Sequence, residues 1–179
     1  MAATRMYAAL LRGINVGGNN TLPMDEVRTL CHDLGHLDVI TYLQSGNVVF
    51  ASGGDPKEIV AGMEGSITER SGLKVAVLLR THRELVTVAA GSPFDPDDPK
   101  KLHVLFLNNR PKAASLASLD PDRSPGDEYY AAGRDLYLHF PSGSGRTKLT
   151  LDYFERRLGV TGTARNWNTL LKLVELTAR

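Results

Sequence analysis

Apolar positions along the chain recur with two periods, strand-like and helix-like, and their order draws a fold. Met6 to Leu11 is a run of buried-strand length that opens into the polar loop Arg12-Gly-Ile-Asn-Val-Gly-Gly-Asn-Asn-Thr21. A helix follows. Pro23 suits its first turn, Asp25 and Glu26 complement its N-terminal dipole, and Gly35 supplies the stop. Met24, Val27, Cys31 and Leu34 form its apolar face. Val39 to Leu43 and Val48 to Phe50 predict a hairpin around Ser45-Gly46-Asn47, because glycine and asparagine accept positive φ. Asp55 caps a second helix with Pro56 first and Glu58 at the capping-box position. Ile59, Met63 and Ile67 line it, and Gly72 ends it. Leu73, Val75, Val77 and Leu79 alternate as a strand, and the capping box Thr81-His-Arg-Glu84 starts a helix to about Ala90.

Ser92-Pro-Phe-Asp-Pro-Asp-Asp-Pro99 breaks this pattern, and the same order then returns. Leu102 to Leu107 reads as a strand and Pro111 to Leu119 as a helix. Glu128 to Ala132 and Leu136 to Phe140 read as a hairpin around Gly133-Arg134. Leu149 to Leu158 reads as a helix closed by Gly159, and Val160 to Ala164 as a short extended piece. The last helix starts near Asn166, with Trp167, Leu170, Leu171 and Val174 on one face. The fold expected is α+β, with two ferredoxin-like, βαββαβ-type halves: residues 1–91, a linker at 92–100, and residues 101–179. The duplication is one of elements, without clear residue identity between halves.

Three blocks are specific: Ala9-Leu-Leu-Arg-Gly-Ile-Asn-Val-Gly-Gly18, Thr41-Tyr-Leu-Gln-Ser-Gly-Asn-Val-Val-Phe50 and Thr163-Ala-Arg-Asn-Trp-Asn-Thr169. In this order they resemble a bacterial family of unknown function, the domain numbered sixteen-ninety-seven. The resemblance spans nearly the whole chain, and Gly145-Arg-Thr-Lys-Leu149 is a looser fourth match. It implies two ferredoxin-like halves in one chain and no established activity.

Composition narrows the classes. Of 179 residues, 42% are apolar and 23% charged, which suits a globular protein and excludes general disorder. Lys and Arg number 21 against 20 Asp and Glu, so no global field draws the chain to nucleic acid or membrane. No apolar run approaches the ~18 residues of a membrane helix. Met1 to Tyr7 reads as no signal peptide. The one cysteine, Cys31, excludes an intrachain disulfide and fits a cytoplasmic protein. From Arg146 onward seven basic residues face three acidic ones, the one clearly basic stretch.

The candidate chemistry is polar rather than acid–base. The Arg12 to Asn20 loop carries Gly13, Gly17 and Gly18, which let backbone amides turn toward an anion, with Arg12 and Asn15 beside them. It is neither a Walker A loop nor Gly-x-Gly-x-x-Gly, and the plainer reading is a long turn. Gln44, Ser45 and Asn47 either make a turn or line a polar pocket. Ser45 has no base in any block to make it a nucleophile. Asn166 suits an N-cap and Trp167 a core anchor, while Arg165 before a helix N-terminus calls for an anion or carboxylate. Ser142-Gly-Ser-Gly-Arg-Thr-Lys148 is a solvated turn or a further basic loop. His32 and His36 are four apart, but Gly35 ends their helix and no third ligand joins them. Metal is therefore not expected, and neither these histidines nor Cys31, a small buried hydrophobe, is expected to function.

Three functions follow. The first is binding, or an enzyme acting on, a small anionic ligand, phosphorylated metabolites included. Its set is Arg12, Gly13, Asn15, Gly17, Gly18, Gln44, Ser45, Asn47, Arg165 and Asn166, expected in a cleft between the halves. The second is nucleic-acid binding, weakened by 7% aromatics and balanced charge. The third is a protein-interaction module. No motif names a cofactor, a catalytic residue or an oligomeric state.

Overall fold

The computed structural model describes residues 3–95 and 97–179. Met1 and Ala2 of the N-terminal stretch and Pro96 of the predicted break lie outside the described residues. Backbone packing divides the chain inside two helices: one unit holds the residues up to Val86 with Leu173–Arg179, the other Thr87–Lys172.

The first unit contains β1 (Arg5–Leu11), α1 (Met24–Asp33), β2 (Leu37–Tyr42), β3 (Asn47–Ser52), α2 (Pro56–Ser71) and β4 (Val77–Thr81), followed by α3 (His82–Ala90). Its sheet runs β2-β3-β1-β4, every neighbour antiparallel. The second contains β5 (Leu102–Leu107), α4 (Ala113–Ala117), β6 (Glu128–Ala132), β7 (Asp135–His139), α5 (Leu151–Leu158) and β8 (Gly162–Asn166), followed by α6 (Trp167–Thr177). Its sheet, β6-β7-β5-β8, has the same order and the same antiparallel pairing. Each unit is thus a split βαβ with helices against the sheet, the expected ferredoxin-like pair.

Local chemistry sets the boundaries. The Asp55 carboxylate accepts from Lys57 N (2.9 Å) and Glu58 N (3.4 Å) to start α2, and Gly72 ends it at φ +72°. The capping box before α3 is reciprocal: Thr81 N donates to Glu84 Oε2 (2.8 Å) and Glu84 N to Thr81 Oγ1 (3.3 Å). Thr150 caps α5, and Asn166 Oδ1 accepts from Thr169 N (2.9 Å) at the start of α6. In the first unit Val27, Leu30, Val48, Phe50, Met63 and Ile67 are among the fully buried side chains of one cluster. In the second, Leu105, Leu107, Leu136, Leu138 and Phe154 form another.

Four details differ from the sequence reading. The strand read from Leu73 pairs only from Val77, opposite Leu11, because the chain turns away at Arg12 and leaves the earlier residues no partner strand. The helix read over 111–119 is reduced to Ala113–Ala117, and Ser118 Oγ bonds back to Ser115 O (2.7 Å) at its end. Leu34 follows the last turn of α1 and is exposed, while Leu30 takes its place in the core. On α6, Leu171 is 46% exposed and Leu173 is buried, so the inner face steps by threes from Trp167.

Candidate functional site

The end of the first sheet where β1 leaves and β3 enters carries the densest polar construction. Within residues 12–23, Gly17 (φ +59°) and Gly18 (φ +76°) form a two-residue turn. Asn19 N→Val16 O (3.0 Å) and Asn15 N→Asn20 O (3.1 Å) close it. Asn20 Nδ2 donates to Gly13 O (3.0 Å). Asn15 fastens this small hairpin to its surroundings. Its Oδ1 accepts from Leu22 N, and its Nδ2 donates to Leu22 O and Gln44 O, all at 2.8 Å.

That last bond joins the loop to the turn at 43–46. Leu11 N donates to Gly46 O (2.8 Å) at the same junction. Gly46 sits at φ +88°, and a Cβ there would lie 2.8 Å from Leu11 Cβ and Ile14 Cδ1, so only glycine fits. Asn47 is fully buried, with Nδ2 donating to Tyr42 O (2.8 Å) and Ser45 Oγ (3.3 Å). Arg12 is half-buried and its backbone N–H donates to Ala76 O (2.9 Å). Gly13, Gly17, Gly18, Gln44 and Ser45 are exposed.

The structure therefore brings Arg12, Gly13, Asn15, Gly17, Gly18, Gln44, Ser45 and Asn47 to one end of one sheet. Asn15 spends its amide on backbone, Asn47 on backbone and the Ser45 hydroxyl, and both act as fasteners. Beside them lies a groove of about 510 Å3 between the start of α1 and the turn, lined by Met24, Asp25, Arg28, Thr41, Leu43 and Gln44. Arg28 spans it, Nη2 donating to Thr41 Oγ1 (2.9 Å) and Nη1 lying 3.2 Å from Asp25 Oδ1. Sequence reasoning missed Arg28, because only the hairpin register brings β2 to that face of α1.

Arg165 and Asn166 belong to the second unit. Arg165 is 7% exposed, and its Nη1 donates to Thr163 Oγ1 (2.7 Å) and to Ala164 O (2.8 Å). Burial pulls its pKa down to about 10, so it remains a cation at neutral pH. Asn166 is the α6 cap. Arg80 holds the equivalent place in the first unit. It is 1% exposed, lies one residue before the cap Thr81, and its Nη1 donates to the preceding carbonyl, Leu79 O (3.0 Å). Sequence reasoning passed over Arg80. The signal was present in Arg80-Thr81 and Arg165-Asn166, each an arginine before a helix-capping residue.

Cys31 is buried and burial pushes its thiol up to about 12, which leaves almost no thiolate. His32 is exposed in the last turn of α1, whereas His36 lies beyond it and is buried. No helix among the described residues is long and apolar enough to cross a membrane. Chemically, residues 12–23 and 43–47 offer amides, hydroxyl and guanidinium and no group that exchanges protons near neutral pH, so they suit charge recognition.

The architecture defines the class: two ferredoxin-like units in tandem, the first elaborated at the sheet end described above. The chain belongs to the family described as Protein of unknown function (DUF1697), whose model matches residues 5–137. Its fold is similar to that of the conserved bacterial protein SP0830 from Streptococcus pneumoniae. The TM-score is 0.76 at 24% identity, over 98% of this chain and 99% of that one. No curated protein matches the sequence.

Proposed function

We propose that the protein binds a small anionic ligand, phosphorylated metabolites included, at the loop 12–23 and turn 43–47 end of the first unit. One observation carries the reading: the two units share a scaffold, yet at this sheet end only the first is elaborated, whereas the second carries its longer connections, 118–127 and 140–150, at the other end. Residues 12–23 stand where the second unit has only 108–112, and the turn 43–46 stands where it has 133–134. Left-handed backbone gathers there too. Asn15, Asn20 and Leu43 are left-handed at φ +53°, +49° and +60°, and among the described non-glycine residues Asp38 alone joins them. Asparagine accepts this region, so the strain is that of Leu43, which persists because the surrounding structure fixes it. Arg12 and Arg28 supply positive charge, Arg28 while paired with Asp25 at 3.2 Å, and neither residues 12–23 nor 43–47 contain an acid. A cytosolic location belongs to the same proposal.

Native mass spectrometry of the purified protein, with its absorbance ratio at 260 and 280 nm, separates a retained metabolite from retained nucleic acid. A thermal-shift screen of phosphorylated metabolites then tests the site. At hundredfold saturation a ligand should raise Tm by about 5–10 °C. Arg12→Ala should abolish that shift. Stabilisation that survives Arg12→Ala, or retained nucleic acid instead of a metabolite, would sink the proposal.

A further inference from the structure

At the opposite end of β3, away from the site above, a pocket of about 360 Å3 lies between the start of β2 and the first turns of α2. Leu34 and Ile59 give it an apolar side, and Ser52 and Glu58 a polar one. His36 forms part of its wall. The imidazole is 6% exposed and stacks on Phe50, with centroids 4.3 Å apart and planes within 12°. Its Nε2 is closed off from solvent and has no hydrogen-bond partner among the described residues. Such orphaned buried nitrogens are rare in native proteins.

We propose that this pocket binds a small protonated amine with a flat apolar body, its ammonium held by Glu58 and Ser52 and its body lying against Ile59 and the His36–Phe50 stack.

The charge balance selects a cation. Glu58 is the only charged side chain in the lining, and its carboxylate makes no ion pair or hydrogen bond among the described residues. An acid in the first turn of a helix is ordinary in itself, so the unpartnered imidazole is the observation that points to a ligand. Burial lowers the His36 pKa, which keeps the ring neutral and able to accept from an ammonium or donate to a neutral group. Ser52 Oγ accepts from Gly54 N (3.2 Å) and has a second lone pair to accept from the ammonium. Neither Ser52 nor Glu58 bonds to Nε2, so the trio is arranged for binding and forms no proton relay.

The glycines agree. A Cβ on Gly62, inside α2, would meet only Leu34 Cδ2 at an ordinary 3.6 Å. Packing therefore permits alanine, a better helix former, and glycine there keeps the pocket open. Gly53 and Gly54 form another part of the wall.

Benzylamine, protonated at neutral pH, is the probe, and benzoate is its counterpart of opposite charge. With 15N-labelled full-length protein, benzylamine should shift the Gly53, Gly54 and Gly62 amides and the His36 ring saturably in the millimolar range, and benzoate should not. Glu58→Gln should weaken benzylamine at least about tenfold, the factor expected when a charge-assisted contact is lost. Gly62→Ala should raise Tm while weakening benzylamine, which separates pocket filling from damage to the fold. Equal shifts from benzoate, benzylamine affinity unchanged in both variants, or no saturable shift with benzylamine would overturn the proposal. The anion screen above addresses other residues, so either idea can fail alone.

Discussion

The two units have the same strand order, and equivalent backbone bonds close their sheets. Leu11 N→Gly46 O in one corresponds to Leu107 N→Arg134 O in the other, and Arg12 N→Ala76 O to Asn108 N→Thr161 O. In each, a buried arginine one residue before a helix cap donates to the carbonyl behind it. The difference lies in what fills the sheet end. The second unit crosses it with a short loop and a two-residue turn, and Asn108 Oδ1 accepts from Thr161 N (3.1 Å). The first builds a small hairpin, a longer turn and an asparagine that fastens them. Closing this sheet end needs only the short version, and the longer one is where the proposed site lies.

The largest effect should separate two turn glycines. Gly46→Ala combines a left-handed backbone with a Cβ driven into Leu11 and Ile14. We expect a loss of about 3–4 kcal/mol, or roughly 10 °C in Tm. Gly133 is also left-handed, at φ +63°, but its Cβ would meet nothing within 4 Å, so Gly133→Ala should cost only about 1 kcal/mol. Equal losses in urea unfolding would mean that the packed junction at Gly46 is no more demanding than its plain counterpart.

The buried arginines should behave alike. Arg80→Met and Arg165→Met each remove a desolvated cation whose hydrogen-bonding partners stay behind, at a cost of about 3 kcal/mol. Matching losses would mark them as duplicated parts of the scaffold. A much smaller loss for Arg165, with ligand stabilisation abolished, would assign Arg165 to the binding site instead.

Much of this scaffold is legible in the sequence, and the reasons are local. Asp55-Pro56, Thr81 to Glu84 and the Gly133-Arg134 turn act through neighbouring residues, so their spacing fixes their geometry. The Arg12 loop and the Ser45 turn were legible as candidates because Arg12, Gln44 and several asparagines join glycines that a plain turn would also use. Other features depend on distant partners. The Asn15 bond to Gln44 O crosses from one loop to another. Arg28 meets Thr41 only through the hairpin register. His36 read as an idle histidine after a helix, because its burial and its stacking on Phe50 arise only when β3 is in place.

A smaller effect tests the fastener. Asn15→Ala removes three backbone hydrogen bonds at once and should cost about 2 kcal/mol. It should also speed amide exchange at Asn19 and Leu22. Asn108→Ala, with one such bond to lose, should cost about 1 kcal/mol and leave the β6–β7 turn intact. If Asn15→Ala is the milder of the two, the elaborated end holds its shape without the asparagine.

The smallest expected effect concerns one histidine from each unit. Burial lowers the pKa of His36, which stacks on Phe50, from its ordinary 6.5. Burial also lowers His103, against Phe140, with a backbone hydrogen bond at Lys101 opposing the shift. In the unfolded chain both rings take up a proton as pH falls through 6.5, while in the folded chain they resist until a lower pH. Between those limits the unfolded state binds more protons, so stability falls as pH falls and is insensitive to these groups above the window. Thermal unfolding from about pH 8 to about pH 5 should therefore show a decline on the acid side. His36→Gln should flatten that decline more than His103→Gln, because desolvation acts alone on His36 while a backbone hydrogen bond opposes it at His103. A decline unchanged in both variants would assign the acid sensitivity to other groups and remove the two rings from the comparison.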